Sequence, residues 1–178
     1  MDILSALSFI TNLVGLSAIL AASLVKGQRM RLILILVTTA NVLVATSYLL
    51  AGSGFNCAAS CLVAGVQGVI NYFFDAKNKP IPKWLIGVYA LSLIAVNLWV
   101  SGLHLLTLLA SAACMAFILS IFQSGGSGYR ICTLVNTALW STYDVLTHSW
   151  NGLLTHVTIF VFTVASILYW GYKKRKAA

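Results

Sequence analysis

Residues 136–151 read NTALWSTYDVLTHSWN, and residues 41–56 read NVLVATSYLLAGSGFN. Overlaid at an offset of ninety-five positions, Asn41 meets Asn136, Tyr48 meets Tyr143 and Asn56 meets Asn151. Between 38 and 69 the offset gives six identities, the others being Thr38/Thr133, Val66/Val161 and Val69/Val164. Thr46/Ser141, Ser47/Thr142 and Ser60/Thr155 are similar pairs. Valines coincide by accident in an apolar chain, whereas an Asn–Tyr–Asn frame does not, because amides are rare in apolar helices.

The surrounding chain is 178 residues long, 60% hydrophobic and only 8% charged. A soluble domain carries roughly 25% charged residues, so the composition points to an integral membrane protein. Lipid offers backbone groups no partner, which leaves helices or closed barrels as spanning structures. The apolar runs are long and continuous rather than alternating, so the expected fold class is an all-α membrane protein with seven transmembrane helices. The runs lie near 3–25, 30–52, 54–74, 83–101, 103–123, 128–148 and 150–172. Each approaches the ~20 residues needed to cross hydrocarbon. Gly52-Ser53-Gly54, Lys79-Pro80-Ile81-Pro82-Lys83 and Ser124-Gly125-Gly126-Ser127-Gly128 supply turn residues between them.

Every one of the eleven Lys and Arg residues falls in alternate connections or in the tail: Lys26, Arg29 and Arg31; Lys77, Lys79 and Lys83; Arg130; and Lys173, Lys174, Arg175 and Lys176. Seven crossings put all of these on one side, which the positive-inside tendency makes cytoplasmic, with the N-terminus outside. The first helix has Asp2 before it and its basic residues after it, the pattern of a retained helix rather than a cleaved signal. The net charge of +8 is thus a topology signal, and no nucleic-acid partner is expected, because the basic residues are scattered without an aromatic platform.

The offset pairs helices two and three with helices six and seven, and sets helix one on helix five with Asn12 over Thr107. Helix four has no counterpart. The expected organisation is a first three-helix bundle over 1–74, a linker with helix four over 75–102, and a second three-helix bundle with a basic tail over 103–178. With an odd linker the triplets run the same way, a parallel repeat of the kind that holds a solute at its interface near mid-membrane.

This 3+1+3 plan resembles the SWEET sugar facilitators, the wider PQ-loop superfamily and the PnuC-type vitamin transporters. It is most similar to the YgjV-type bacterial inner-membrane proteins, in chain length, in Arg130 opening helix six, in the run Trp140-Ser141-Thr142-Tyr143 and in the basic tail after Trp170. The Pro-Gln pair of the PQ-loop proteins is absent. The resemblance implies an inner-membrane location and a small-solute carrier.

Candidate site residues follow from depth and spacing. Asn41 and Asn136 lie near the middle of their runs, and each amide is either a solute clamp or an interhelical hydrogen bond. Asn41, Ala45 and Tyr48 share a helix face, as do Asn136, Trp140 and Tyr143. Trp140 opposite Ala45 is either one flat wall for a ring-shaped solute or an interfacial anchor. Asn12 on helix one, and Gln67 and Asn71 in line with Ser60 on helix three, extend the polar faces. Asp144 with His148 at i+4, together with His156 and His104, are expected near the outer mouth, either as a proton-responsive gate or as an exposed interfacial pair. Four cysteines, Cys57, Cys61, Cys114 and Cys132, read chiefly as packing residues. No metal site, cofactor or catalytic residue is expected, since paired carboxylates, phosphate loops and nucleophile–base pairs are missing.

The expected function is a carrier or facilitator of a small uncharged polar solute, sugar-like or nucleoside- or vitamin-like, working by alternating access; a membrane receptor, sorting or assembly protein is the alternative. With no charged residue expected at the centre, passive movement is favoured. The partners are the lipid bilayer and a small solute, and self-association into a homo-oligomer is left open.

Overall fold

The computed structural model describes residues 3–24, 30–121 and 126–177. Lys26, Arg29, Ser124 and Gly125 lie outside the described residues. Within them every regular element is an α-helix: α1 (Ile3–Leu24), α2 (Met30–Ala51), α3 (Phe55–Ala76), α4 (Lys83–Ser101), α5 (Leu105–Ile121), α6 (Gly126–Leu146) and α7 (Trp150–Ala177). The ends lie close to those expected, with two differences. Gly126, Ser127 and Gly128, expected in a turn, open α6 instead. Glycine costs least in a first turn, where the N–H groups lack intrahelical partners in any case. The basic tail continues α7 to Ala177 rather than leaving it near 172.

Five of the described helices, α1, α2, α3, α4 and α7, are long and apolar enough to cross a membrane. Two of the seven expected crossings fall short of that measure. α5 is described over only 17 residues. α6 carries Asn136, Ser141, Thr142 and Asp144, polar groups that a membrane helix tolerates only when they face protein or water.

The burial pattern is that of a lipid-solvated bundle. Large apolar side chains point outward, among them Trp99, Leu91, Leu103 and Leu168, while Ser8, Asn12, Asn56, Asn97, Thr155 and Asp144 are buried. A water-soluble protein shows the reverse. Inside a bundle each buried polar group needs a partner, because none is available from lipid.

α2 packs between α1 and α3, and α6 between α5 and α7; α4 touches both α3 and α5. The two groups meet where α1 and α2 touch α7 and where α3 touches α5. The tight α2–α3 connection is made by Gly52 and Gly54, both with left-handed backbone (φ 65° and 66°). Gly54 is also required sterically, because a Cβ there would run into the Tyr48 ring. Ser149 bonds Ser53 at 3.1 Å and Ser101 bonds Asn56, which brings the short α2–α3, α4–α5 and α6–α7 turns together at one end, called here the turn end. At the opposite, basic end, Arg31 pairs with Asp75 at 3.3 Å. That pair is exposed and contributes little to stability.

Candidate functional site

α2 and α6 carry Asn41 and Asn136 to the middle of the bundle, where both line one cavity of about 230 Å³. Trp140 and His156 form part of its wall, with Ser60 from α3 and Thr155 from α7. The volume lies below the roughly 300–1,000 Å³ of drug-sized pockets and fits a small solute. The Asn136 amide donates to the Ala113 carbonyl of α5 at 2.7 Å. That bond is the interhelical one weighed from the sequence, and it coexists with exposure to the cavity. Among the described residues the Asn41 amide has no protein partner, and it faces both the central cavity and a second one.

The second cavity, about 420 Å³, runs toward the basic end and is lined by Gln67, Asn71, Asp75 and Lys79 among others. Val37, Asn41, Ala64 and Phe117 are common to both walls, so the cavities adjoin at Asn41. Among the described residues the buried Gln67 Nε2 has no protein partner. Asn71 Oδ1 accepts from the Tyr89 hydroxyl at 3.0 Å.

A third cavity, about 350 Å³, opens at the turn end between Ser5, Ser8, Tyr48, His148 and Asn151. It shares no lining residue with the central cavity. A hydrogen-bonded layer separates them. The Tyr48 hydroxyl donates to Asp144 Oδ1 at 2.6 Å. His156 Nδ1 meets Asp144 Oδ2 at 2.6 Å. Tyr48 thus lines the turn-end cavity, His156 the central one, and Asp144 is fully buried between them.

An Asp costs about 2.5–3.5 kcal/mol at the centre of an inserting helix. Hydrogen bonds to a charged group contribute about 1.5–3 kcal/mol each, so two of them offset its burial. The layer is held by shape as well. A Cβ at Gly152 would overlap the Tyr48 hydroxyl. Trp140 stacks on the His156 ring, with centroids 5.9 Å apart and planes 12° from parallel. It also meets Tyr143 edge-on at 5.4 Å.

Two polar networks buttress this layer. On one side the Tyr143 hydroxyl donates to Asn56 Oδ1 and accepts from the Asn56 N–H, both at 3.2 Å. Asn56 Nδ2 then donates to Asn97 Oδ1 at 3.0 Å, and Asn97 Nδ2 to Ser60 Oγ at 3.0 Å. Ser101 also donates to Asn56 Oδ1. On the other side Asn151 Nδ2 donates to Ser8 Oγ at 2.7 Å, Asn12 Nδ2 to the Asn151 carbonyl at 2.7 Å, and Thr155 Oγ1 to Asn12 Oδ1 at 3.0 Å. The frame residues Asn56 and Asn151 therefore occupy matching roles, each tying the start of one helix to a neighbour.

The structure sorts the residues singled out from the sequence. Asn41, Asn136 and Trp140 come together on the central cavity. Gln67 and Asn71 line the neighbouring cavity instead. Tyr48, Tyr143 and Asn12 sit behind the cavity surface, their polar groups consumed by Asp144, Asn56, Asn151 and Thr155. Asp144 is neither exposed nor paired with His148. The α6–α7 turn puts His148 at φ 54°, exposed, with its ring against Trp150 at 6.1 Å. His104 is exposed in the α4–α5 turn, away from the carboxylate. No group of three or more His, Cys, Asp or Glu that would hold a metal occurs among the described residues. Spacing within one helix favoured i+4; the true partner, His156, is reached across a turn from α7. Asn56, Asn97 and Ser101 were missed as partners, although Asn97 is the one side-chain amide in the apolar run of α4.

A family model described as a bacterial inner membrane protein, Imp-YgjV, matches residues 5–175. Neither a curated protein nor a solved structure shows significant similarity. The match spans nearly the whole chain and agrees with its outward apolar surface and buried polar interior: the chain belongs to the Imp-YgjV family of bacterial inner membrane proteins.

Proposed function

We propose that the chain is a carrier of a small uncharged polar solute, such as a sugar or a nucleoside- or vitamin-like ring compound, working by alternating access. All seven helices cross the membrane, with the turn end outside and the basic end in the cytoplasm. α1–α3 and α5–α7 act as parallel halves joined by α4, as in the SWEET and PQ-loop proteins. The observation that carries this reading is the cavity walled by Asn41 and Asn136, with the Asn41 amide unpartnered among the described residues in the interior of a membrane bundle. Such an amide is costly in hydrocarbon unless water or a solute satisfies it. The cavity adjoins the one toward the basic end and is separated from the turn end by the Tyr48–Asp144–His156 layer. That arrangement is an inward-facing state. The neutral amides and the Trp140 wall suit hydroxyls, amides and flat rings rather than ions.

A second reading, a receptor or assembly protein that moves nothing, draws on the Asn136–Ala113 bond, which gives that amide a structural task. A thermal-unfolding panel of sugars, nucleosides and vitamins separates the two, because a ligand of the folded state raises apparent stability. A carrier is stabilised by one class, loses that shift in Asn41→Ala, and moves the compound into proteoliposomes. Stabilisation without flux supports the receptor.

A further inference from the structure

We infer that Asp144 and His156 form a proton-binding site that works the seal between the central cavity and the turn end, so that the solute is carried together with a proton. The inference rests on the carrier reading and adds a second transported species.

The chemistry follows from the geometry of the pair. Nδ1 of His156 faces Asp144 Oδ2 at 2.6 Å, and toward an ionised carboxylate, which only accepts, it is the donor. His156 lines the central cavity, and Nε2 is the ring nitrogen left free by the Nδ1 contact with the carboxylate. With Nε2 unprotonated, the pair holds one net negative charge in a buried site. With Nε2 protonated, it is an imidazolium–carboxylate pair of zero net charge. Among the described residues no Lys or Arg lines either the central or the turn-end cavity to compensate the negative form.

The other groups facing the pair do not supply that charge. From α2 comes the Tyr48 hydroxyl. From α3 comes the Cys57 thiol, within electrostatic reach of the carboxylate. Along α6 lies Tyr143, bonded to Asn56. α5 presents Cys114, bonded to Ser60. Among the described residues α1 offers Ser8 and Asn12, and α4 Asn97 and Ser101, all neutral. His148 and His104 are exposed in turns. The pair is also confined to one half of the sequence, since ninety-five positions earlier stand Leu49 and Cys61.

The negative form gains most from water, and the nearest supply at the turn end is the cavity behind Tyr48. Loss of the proton therefore favours parting of Tyr48 from Asp144 and opening to the outside. Nε2 then takes a proton from the outer solution, the pair becomes neutral, and the seal closes. In the closed state the His156 ring lines a cavity that adjoins the one toward the basic end, and the proton leaves that way with the solute. One N–H bond forms on one side and breaks on the other, and no electron changes hands.

The test uses a chain that keeps Cys57 as its sole cysteine (Cys61→Ser, Cys114→Ser, Cys132→Ser) in right-side-out membrane vesicles. Cys57 lines the central cavity and is 1% exposed, so a charged, impermeant thiosulfonate added outside reaches it only past the seal. Asp144→Asn, and Asp144→Asn combined with His156→Gln, made in the same background, lack the carboxylate, cannot form the negative pair and report the thiol's own pH dependence. Between pH ~5.5 and ~8.5, around the histidine range, the labelling rate relative to either variant should rise by about fivefold or more, the lower end of usual coupling factors. A ratio that stays constant with pH, or no labelling from outside at any pH, overturns the proton site. Flat labelling with solute stabilisation intact leaves the carrier reading standing. pH-dependent labelling without any stabilising or transported solute removes the carrier and leaves a proton-operated seal.

Discussion

His156 on α7 places Nδ1 2.6 Å from Oδ2 of Asp144 on α6, and its ring under the Trp140 indole. This single contact joins the wall of the central cavity to the layer that closes the turn end. His148, although only four residues from Asp144, takes no part in it. His148→Gln should therefore leave both thermal stability and the pH profile of Cys57 labelling as in the parent. A profile flattened by His148→Gln would reassign the proton to the turn.

Asn136 both bonds α5 and faces the central cavity. Asn136→Ala removes its bond to the Ala113 carbonyl, and interhelical bonds of this type contribute about 0.6–2 kcal/mol in membranes. The expected result is a folded protein with a modestly lower melting temperature and at least a tenfold weaker solute-induced shift (about 1.4 kcal/mol). A stability loss with an unchanged solute shift would confine Asn136 to packing.

Trp140 is a wall residue through its face. Trp140→Phe keeps an aromatic surface over His156, whereas Trp140→Ala removes it. Aromatic pairs contribute about 0.5–1.5 kcal/mol beyond area burial, so isothermal titration should rank solute affinity parent, then Phe, then Ala. Equal affinities for Phe and Ala would show that no ring of the solute rests there.

Glycine positions separate close approach from mere helix propensity. At Gly152 a Cβ collides with the Tyr48 hydroxyl, while at Gly87 it meets nothing within 4 Å. Gly152→Ala should destabilise by about 1–3 kcal/mol, the usual cost of overpacking. It should also loosen the Tyr48–Asp144 bond, raising Cys57 labelling from the turn end at all pH values. Gly87→Ala should be neutral or stabilising by up to about 1 kcal/mol. Similar melting curves for the two variants would mean that the seal tolerates displacement of Tyr48.

The Asn97 network should behave as a unit. Asn97 is fully buried and bonds Asn56, Ser60 and the Leu93 carbonyl. Asn97→Ala strands buried polar groups at about 1–3 kcal/mol each, and the double variant with Asn56→Ala should cost less than the two singles added. Additive losses in a thermal-melt cycle would dissolve the network into separate contacts.

Helix existence was legible because apolar runs bounded by Gly, Pro and Lys are strong local signals; Gly54 and Pro82 stand where the chain turns into α3 and α4. Asn41, Asn136 and Trp140 were legible as cavity residues because depth and a shared face can be counted along one helix. The Asp144–His156 pair was not, since its two members are brought together by how α7 packs on α6 after a turn containing left-handed His148. Tyr48 was misjudged for a related reason. Its face was right, but at the ring's distance from the backbone the hydroxyl passes the cavity and ends on a carboxylate. Positions along a helix reveal direction; they do not reveal which partner stands at the end of a long side chain.

The most direct test of the carrier account is whether its central cavity is wet. Cys61 lines that cavity and is half-buried. In a chain keeping only this cysteine (Cys57→Ser, Cys114→Ser, Cys132→Ser), a small polar maleimide presented from the basic side of sealed vesicles should label it, and a stabilising solute should slow the labelling. A thiol that stays unreactive from both sides, yet reacts fully after denaturation, would mean a dry, closed bundle and would contradict the account.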